Sequence, residues 1–367
     1  MVELVGWVGG ETDMRRSTWA TVILVLSTMP LASVSAGTLV VGNKSEATVS
    51  LVDTQTGEIR ATLPTGNVPH EVAVSPDGNR ALVSNYGTRD EPGSSLTLVD
   101  VPAAKVVKTI ELEGFSRPHG IVWRDAERAV VTVEDNQAVV EVNVDTGKVM
   151  HEISTDSEIS HMAAISPKHA LVFVANIGSG SVSIIDLAIG MNLANIPTGE
   201  GAEGIAVTPD GRRVWVTNRA EDTISVIDVL SREPVAKIPA GEFPIRAEVT
   251  ADGHFVLVTN AKGNSLSVFD AKEMTEVGRI DFTAVSKGDE GRLFSDRFGD
   301  SSVPIGIEIV DNEKRAYVAH ANADDISIID LTEWKVVGTL AAGKEPDGMG
   351  YSPLAVKDEP EGEPSGE

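Results

Sequence analysis

The chain has 367 residues, 41% of them hydrophobic, enough to build a real core in one large or two average domains. Its 30 basic residues face 55 acidic ones, a net charge of -25 that repels a phosphate backbone and argues against nucleic acid as a partner. It has no cysteine, which excludes disulfides, thiolate metal sites, covalent c-type haem and a cysteine nucleophile.

Near the N-terminus, "MRRSTW" from Met14 and the following "ATVILVLSTMPLA" read as the basic and apolar parts of an export signal. Ser35 and Ala36 supply small residues at a cleavage point before Gly37. The apolar stretch is short and interrupted for a membrane span. The acidic first thirteen residues fit no such signal, so initiation is expected at Met14, residues 1–36 as signal peptide, and a periplasmic or secreted protein with no membrane span in its mature part. The competing reading is a buried N-terminal helix. Arg15 and Arg16 lack the rest of a twin-arginine context, which points to general export.

From Thr38 the pattern is of short strands. In one copy "EVAVS" is strand A, "PDG" a hairpin turn closed by Gly78, "ALVSN" strand B, "LTLVD" strand C and "KVVKTI" strand D. "RVWVTNRAEDTISVID" (Arg213 to Asp228) returns 42 residues later as "FVLVTNAKGNSLSVFD", and seven such copies can be stacked. A period of this length holding several strands is that of propeller blades; parallel β-helix repeats are shorter. The chain opens on a B strand, "TLVVGN", and its last repeat-like segment is an A strand, "PDGMGYSP". Together they complete one blade and close the ring without exposed edges. The expectation is an all-β seven-bladed β-propeller over residues 37–353, four antiparallel strands per blade, and a monomer. A disordered acidic tail, 354–367, should follow.

One connection breaks the period. Phe282 to Pro304 adds about eighteen residues before the seventh A strand, mixing Phe294 and Phe298 with Lys287, Arg292 and Arg297. Loops of that length are usually functional or disordered, and a lid over the channel mouth is the expectation. A shorter insertion in the second blade places Tyr86 and Arg89 on the same face.

The segments "VWVTN", "ISVID", "AVSPDGNR" and "AVTPDGRR" closely resemble the YVTN-type β-propeller repeat family over about nine-tenths of the mature chain. The resemblance implies the fold and an exported bacterial or archaeal protein. Neighbouring propeller families include lactonases and the histidine-bound copper domain of nitrous oxide reductase, but a shared fold carries no chemistry by itself.

Aligned on their A strands, the seven copies read Asp347, His70, His119, His161, Glu203, Ile245 and Ile305 at the position two residues before the first core hydrophobe. The A strands line the channel and the D-to-A connections share one face, so these side chains should circle one mouth. His70, His119 and His161 are then candidate ligands of one divalent or copper ion, imidazole suiting Zn, Cu, Fe or Ni, with Glu203 and Asp347 as ligands or supporting partners. Arg246 could bind an anionic group, and His320 replaces a repeated asparagine (Asn43, Asn85, Asn176, Asn218, Asn260) on that face. The plainer reading is turn histidines bonded to nearby backbone. The repeated asparagines, and the aspartates closing the C strands, read as turn residues.

The leading functional expectation is a binding or scaffold protein that takes a small ligand or a protein partner on this face. The alternatives are a metal-assisted, lactonase-like hydrolase and an accessory of periplasmic redox or copper metabolism. No nucleotide loop, HExxH or serine-elbow motif is present.

Overall fold

The alternation of branched and small residues sends successive side chains to opposite sheet faces, and both faces are buried. In "RVWVTN", Val214 and Val216 pack toward one neighbouring sheet and Trp215 toward the other. The result, in a computed structural model that describes residues 37–358 apart from 289–291, 294–296, 311 and 313, is seven four-stranded antiparallel sheets. Seven separate apolar clusters fill the seven interfaces between blades. The proposed signal segment, Phe294 and the end of the acidic tail lie outside the described residues. The start of the tail is docked: Val356 packs against the interface of blades 1 and 2, and Lys357 N–H donates to the Pro102 carbonyl.

Blade 1 is built from both ends of the chain. Its A strand, Pro346–Ser352, pairs antiparallel with Thr38–Asn43, so the C-terminal strand closes the ring as expected. The other A strands are Pro69–Val74, Pro118–Trp123, Ser160–Ile165, Ala202–Val207, Pro244–Val249 and Pro304–Val310, in blades 2 to 7. Among the described residues no helix is long and apolar enough to cross a membrane.

The innermost strands converge, and one level of the channel shows how closely. Just past the rim position the seven blades carry Gly348, Glu71, Gly120, Met162, Gly204, Arg246 and Gly306. A Cβ at Gly120 would lie 2.7 Å from the His161 carbonyl oxygen, and one at Gly204 would lie 2.7 Å from the Arg246 Cα. The bare positions let neighbouring strands touch, while Glu71, Met162 and Arg246 occupy the space that is left. Deeper in the channel, Glu248 and Glu308 stand at one level with Ala73, Val122, Ala164, Ala206 and Gly350. Desolvation pushes the Glu308 carboxyl up to about 8.

Two outcomes are expected. Gly204→Ala should cost about 1–3 kcal/mol in chemical denaturation, because the added methyl meets backbone that cannot move aside. The proton that Glu308 keeps in the fold makes wild type lose stability as pH rises from its unfolded value near 4.5 toward 8. Glu308→Gln should remove that slope, giving a thermal midpoint roughly 2–6 °C above wild type in alkaline buffer and little difference in acid.

Candidate functional site

Each blade brings two side chains to the mouth, and one backbone contact fixes both. Two residues before the A-strand rim position the chain turns left-handed, at Glu345, Val68, Arg117, Ile159, Gly201, Phe243 and Val303, with φ from 51° to 73°. Six of the seven are not glycine, and for Val68, Ile159 and Val303 such a φ costs on the order of 1–3 kcal/mol. The carbonyl of this residue accepts the N–H of the first B-to-C turn residue, at 2.9–3.2 Å in every blade. The turn residues so tied are Lys44, Tyr86, Glu134, Ile177, Arg219, Ala261 and Ala321.

The rim therefore holds two sets of seven, and they divide the mouth into two arcs. Blades 6 and 7 supply Ile245, Ala261, Ile305 and Ala321. Phe298 of the long insertion, with Val303 and Phe243, packs onto them. The insertion is anchored by Arg292, which bonds the Ala321 carbonyl at 3.2 Å and Asp324 at 2.6 Å. Arg219 and Arg297 both lie over the Phe243 ring.

Blades 1 to 5 form a polar arc. Fully buried Asp347 pairs with Lys44 Nζ at 2.6 Å and His70 Nδ1 at 3.1 Å. His70 meets the edge of Tyr86 at 4.4 Å between centroids and lies 4.8 Å from the His119 ring, which lies 3.6 Å from that of His161. His161 Nδ1 bonds Glu134, whose other oxygen accepts the Tyr86 hydroxyl, and its Nε2 lies 3.4 Å from Glu203. Glu203 also holds Arg219, and Arg246 at 3.3 Å, while Arg246 crosses the axis to Glu71.

Burial and charge together set the protonation pattern. Desolvation, helped by Lys44, takes His70 down to about 4, against the pull of Asp347. Desolvation and the other two imidazoles hold His119 well below its ordinary value. Desolvation also opposes charge on His161, but Glu134 and Glu203 outweigh it and raise this group. Glu203 is drawn down to about 2 despite its burial, by Arg219, His161 and Arg246. Burial raises Glu71 and Arg246 lowers it, with the balance upward. With Arg246 reaching in from blade 6, the arc sets Lys44, Arg219, Arg246 and His161 against Glu71, Glu134, Glu203 and Asp347.

The structure brings His70, His119, His161, Glu203, Asp347 and Arg246 to one mouth. It departs from the sequence expectation in three respects. Arg246 is not open to an anionic ligand, because Glu71 and Glu203 already hold it. His320 does not join the arc: its ring is buried between the Ser302 and Ser327 hydroxyls, at 2.7 and 2.8 Å, in the slot that asparagine fills elsewhere. In blade 6, Asn260 Nδ2 donates to Ser265 and Ser267 of the C strand in the same way. Finally, the histidine and carboxylate atoms that lie within 4.8 Å of one another belong to His119, Glu134 and His161, without His70. Lys44, Glu134 and Arg219 were missed by the sequence reading although each stands one residue after the repeated asparagine position, where blades 6 and 7 carry alanine.

Ring and mouth define a seven-bladed propeller with a polar arc at one mouth of its channel. Residues 119–291 match the family model of the YNCE-like beta-propeller, which together with the seven-bladed ring supports a YVTN/YncE-type propeller family. No curated protein matches the sequence. Among solved structures, a functionally unknown protein from Desulfotomaculum acetoxidans is similar with a TM-score of 0.70 at 18% identity, over 88% of this chain and 100% of that one. Kuenenia stuttgartiensis hydrazine synthase is similar with a TM-score of 0.65 at 19% identity, over 78% and 90%. At these identities the likeness is one of fold.

Removing one member of the buried ion network should expose its cost. Arg246→Met leaves Glu71 buried without its guanidinium partner and should destabilise by about 3–5 kcal/mol in urea titration. Adding Glu71→Met should recover most of that loss, giving a strong coupling in the double-mutant cycle.

Proposed function

We propose that this chain is an exported, monomeric binding protein whose recognition surface is the polar arc of the channel mouth. The carrying observation is the contrast between the arcs. Blades 6 and 7 close the same rim positions with Ile245, Ile305, Ala261 and Ala321, so the fold has no need of charge there. Blades 1 to 5 nonetheless bury Asp347, Glu71, Glu134 and Glu203, paired with Lys44, His161 and Arg219 of the same blades and with Arg246 reaching in from blade 6. Buried ion networks are often less stable than apolar packing of similar volume, so keeping one points to a role other than stability.

The lactonase-like reading is not favoured. Such an enzyme needs room for a ring-sized substrate beside its catalytic groups. The polar arc is filled by its own side chains, with Asp347 fully buried and Glu203 and His119 almost so.

The test is a thermal-shift panel of divalent cations and small organic anions on wild type and on Glu134→Ala/His161→Ile, which copies the apolar arc. At least one probe should raise the wild-type midpoint and leave the double variant unmoved. A panel inert on wild type, or shifting both proteins equally, overturns the assignment of the polar arc as the binding surface.

A further inference from the structure

The polar arc has charge and donors but little room. Asp347 is fully buried, Glu203 3% exposed and His119 1% exposed, and the His70 side chain is 16% exposed. An organic molecule would have to displace Lys44, Tyr86 or Arg219 from their partners. An ion would not.

Within the arc one imidazole is left over. His70 is committed to Asp347, itself held by Lys44, and His161 is bonded by Glu134. His119 Nδ1 is buried and has no hydrogen-bond partner. A buried ring nitrogen without a partner calls for an explanation, since such groups are nearly always satisfied. His119 is also one of the three residues, with Glu134 and His161, whose ligand atoms lie within 4.8 Å of one another.

We infer that His119, His161 and Glu134 bind one divalent first-row transition cation of the zinc class. The inference rests on reading the polar arc as the binding surface. Two imidazoles and one carboxylate form a donor set suited to such ions and leave a coordination position free. Glu134 and His161 Nδ1 already meet in a hydrogen bond whose proton the cation would replace. The outer partners are in place as well. The Tyr86 hydroxyl fixes the second oxygen of Glu134, and Glu203 faces the second nitrogen of His161, the arrangement that orients metal-binding carboxylates and imidazoles. His119 and His161 now lie 3.6 Å apart at an interplanar angle of 34°, so binding turns the rings until their lone pairs converge.

The test uses the full chain without an affinity tag, stripped with chelator and titrated with cobalt(II), then zinc(II). One cobalt per chain should give visible d–d absorption, and one equivalent of zinc should abolish it. Glu134→Gln and His119→Ala should each lose the stoichiometric signal. Tyr86→Phe should weaken zinc binding roughly 10–100-fold while keeping the spectrum. His70→Ala should bind as wild type does, which separates this ligand set from one of three histidines. Circular dichroism and thermal melting of the stripped variants show that each is folded; a variant that is not folded is replaced by His119→Gln. No stoichiometric cobalt in wild type, full binding in Glu134→Gln, or loss in His70→Ala overturns the ligand set. If organic anions in the thermal-shift panel still act on wild type only, the metal assignment fails alone and the polar arc stands as the binding surface.

Discussion

The mouth of this propeller depends on one hydrogen bond repeated seven times. In each blade the carbonyl of a left-handed residue before strand A accepts the N–H of the residue that follows the repeated asparagine position of strand B. That bond holds two segments at a fixed spacing, about eighteen residues apart in blades 2 to 7 and at opposite ends of the repeat array in blade 1. It also makes the turn residue a partner of the rim residue, so each blade offers a pair of side chains where the inner strand alone offers one. Because the tie uses backbone atoms only, the paired side chains can change while the frame stays. Lys44 with Asp347 and Ala321 with Ile305 sit on the same scaffold.

This separation of frame from side chain explains the two arcs. On blades 6 and 7 the pairs are apolar and the long insertion seats Phe298 on them, so that part of the rim is covered by the chain itself. On blades 1 to 5 the pairs are polar or aromatic except for Ile177, which stands with His161 in blade 4, and their polar groups meet one another around the ring. Charge passes from Lys44 to Asp347, then across the imidazoles to Glu134, Glu203 and the two arginines, with Arg246 tying the far side back to Glu71. Each ionisable group is near an opposite charge, which is the condition for burying it at all.

The fold could be read from the sequence because its causes are local and repeated: alternation within a strand, a turn after strand A, a period of 42. The closure of the ring followed from where the first B and last A strands fall. His70, His119 and His161 were placed together by the same alignment. Glu134, Lys44 and Arg219 were not: the repeated asparagine drew attention to the position one residue earlier, where blade 3 carries Val133, and the left-handed carbonyl that ties the next residue to the rim leaves no mark in composition. Val68, Ile159 and Val303 are poor residues for that conformation, so their sequence argued against it. His320 misled for a related reason: an imidazole can fill the place of an asparagine amide between two hydroxyls, and only packing tells a substitute from a ligand.

A ring of seven cannot alternate bulky and bare positions without a mismatch. Glu71, Met162 and Arg246 are each flanked by glycines, but Gly306 and Gly348 fall side by side. Added Cβ atoms there would strike the Asp347 carbonyl and the backbone at His70 and Glu71. The odd count therefore puts its one defect at the seam where the C-terminal strand enters, and draws that strand tight against both neighbours. Parity, a property no single blade possesses, makes the closure point of this circle its most closely fitted joint.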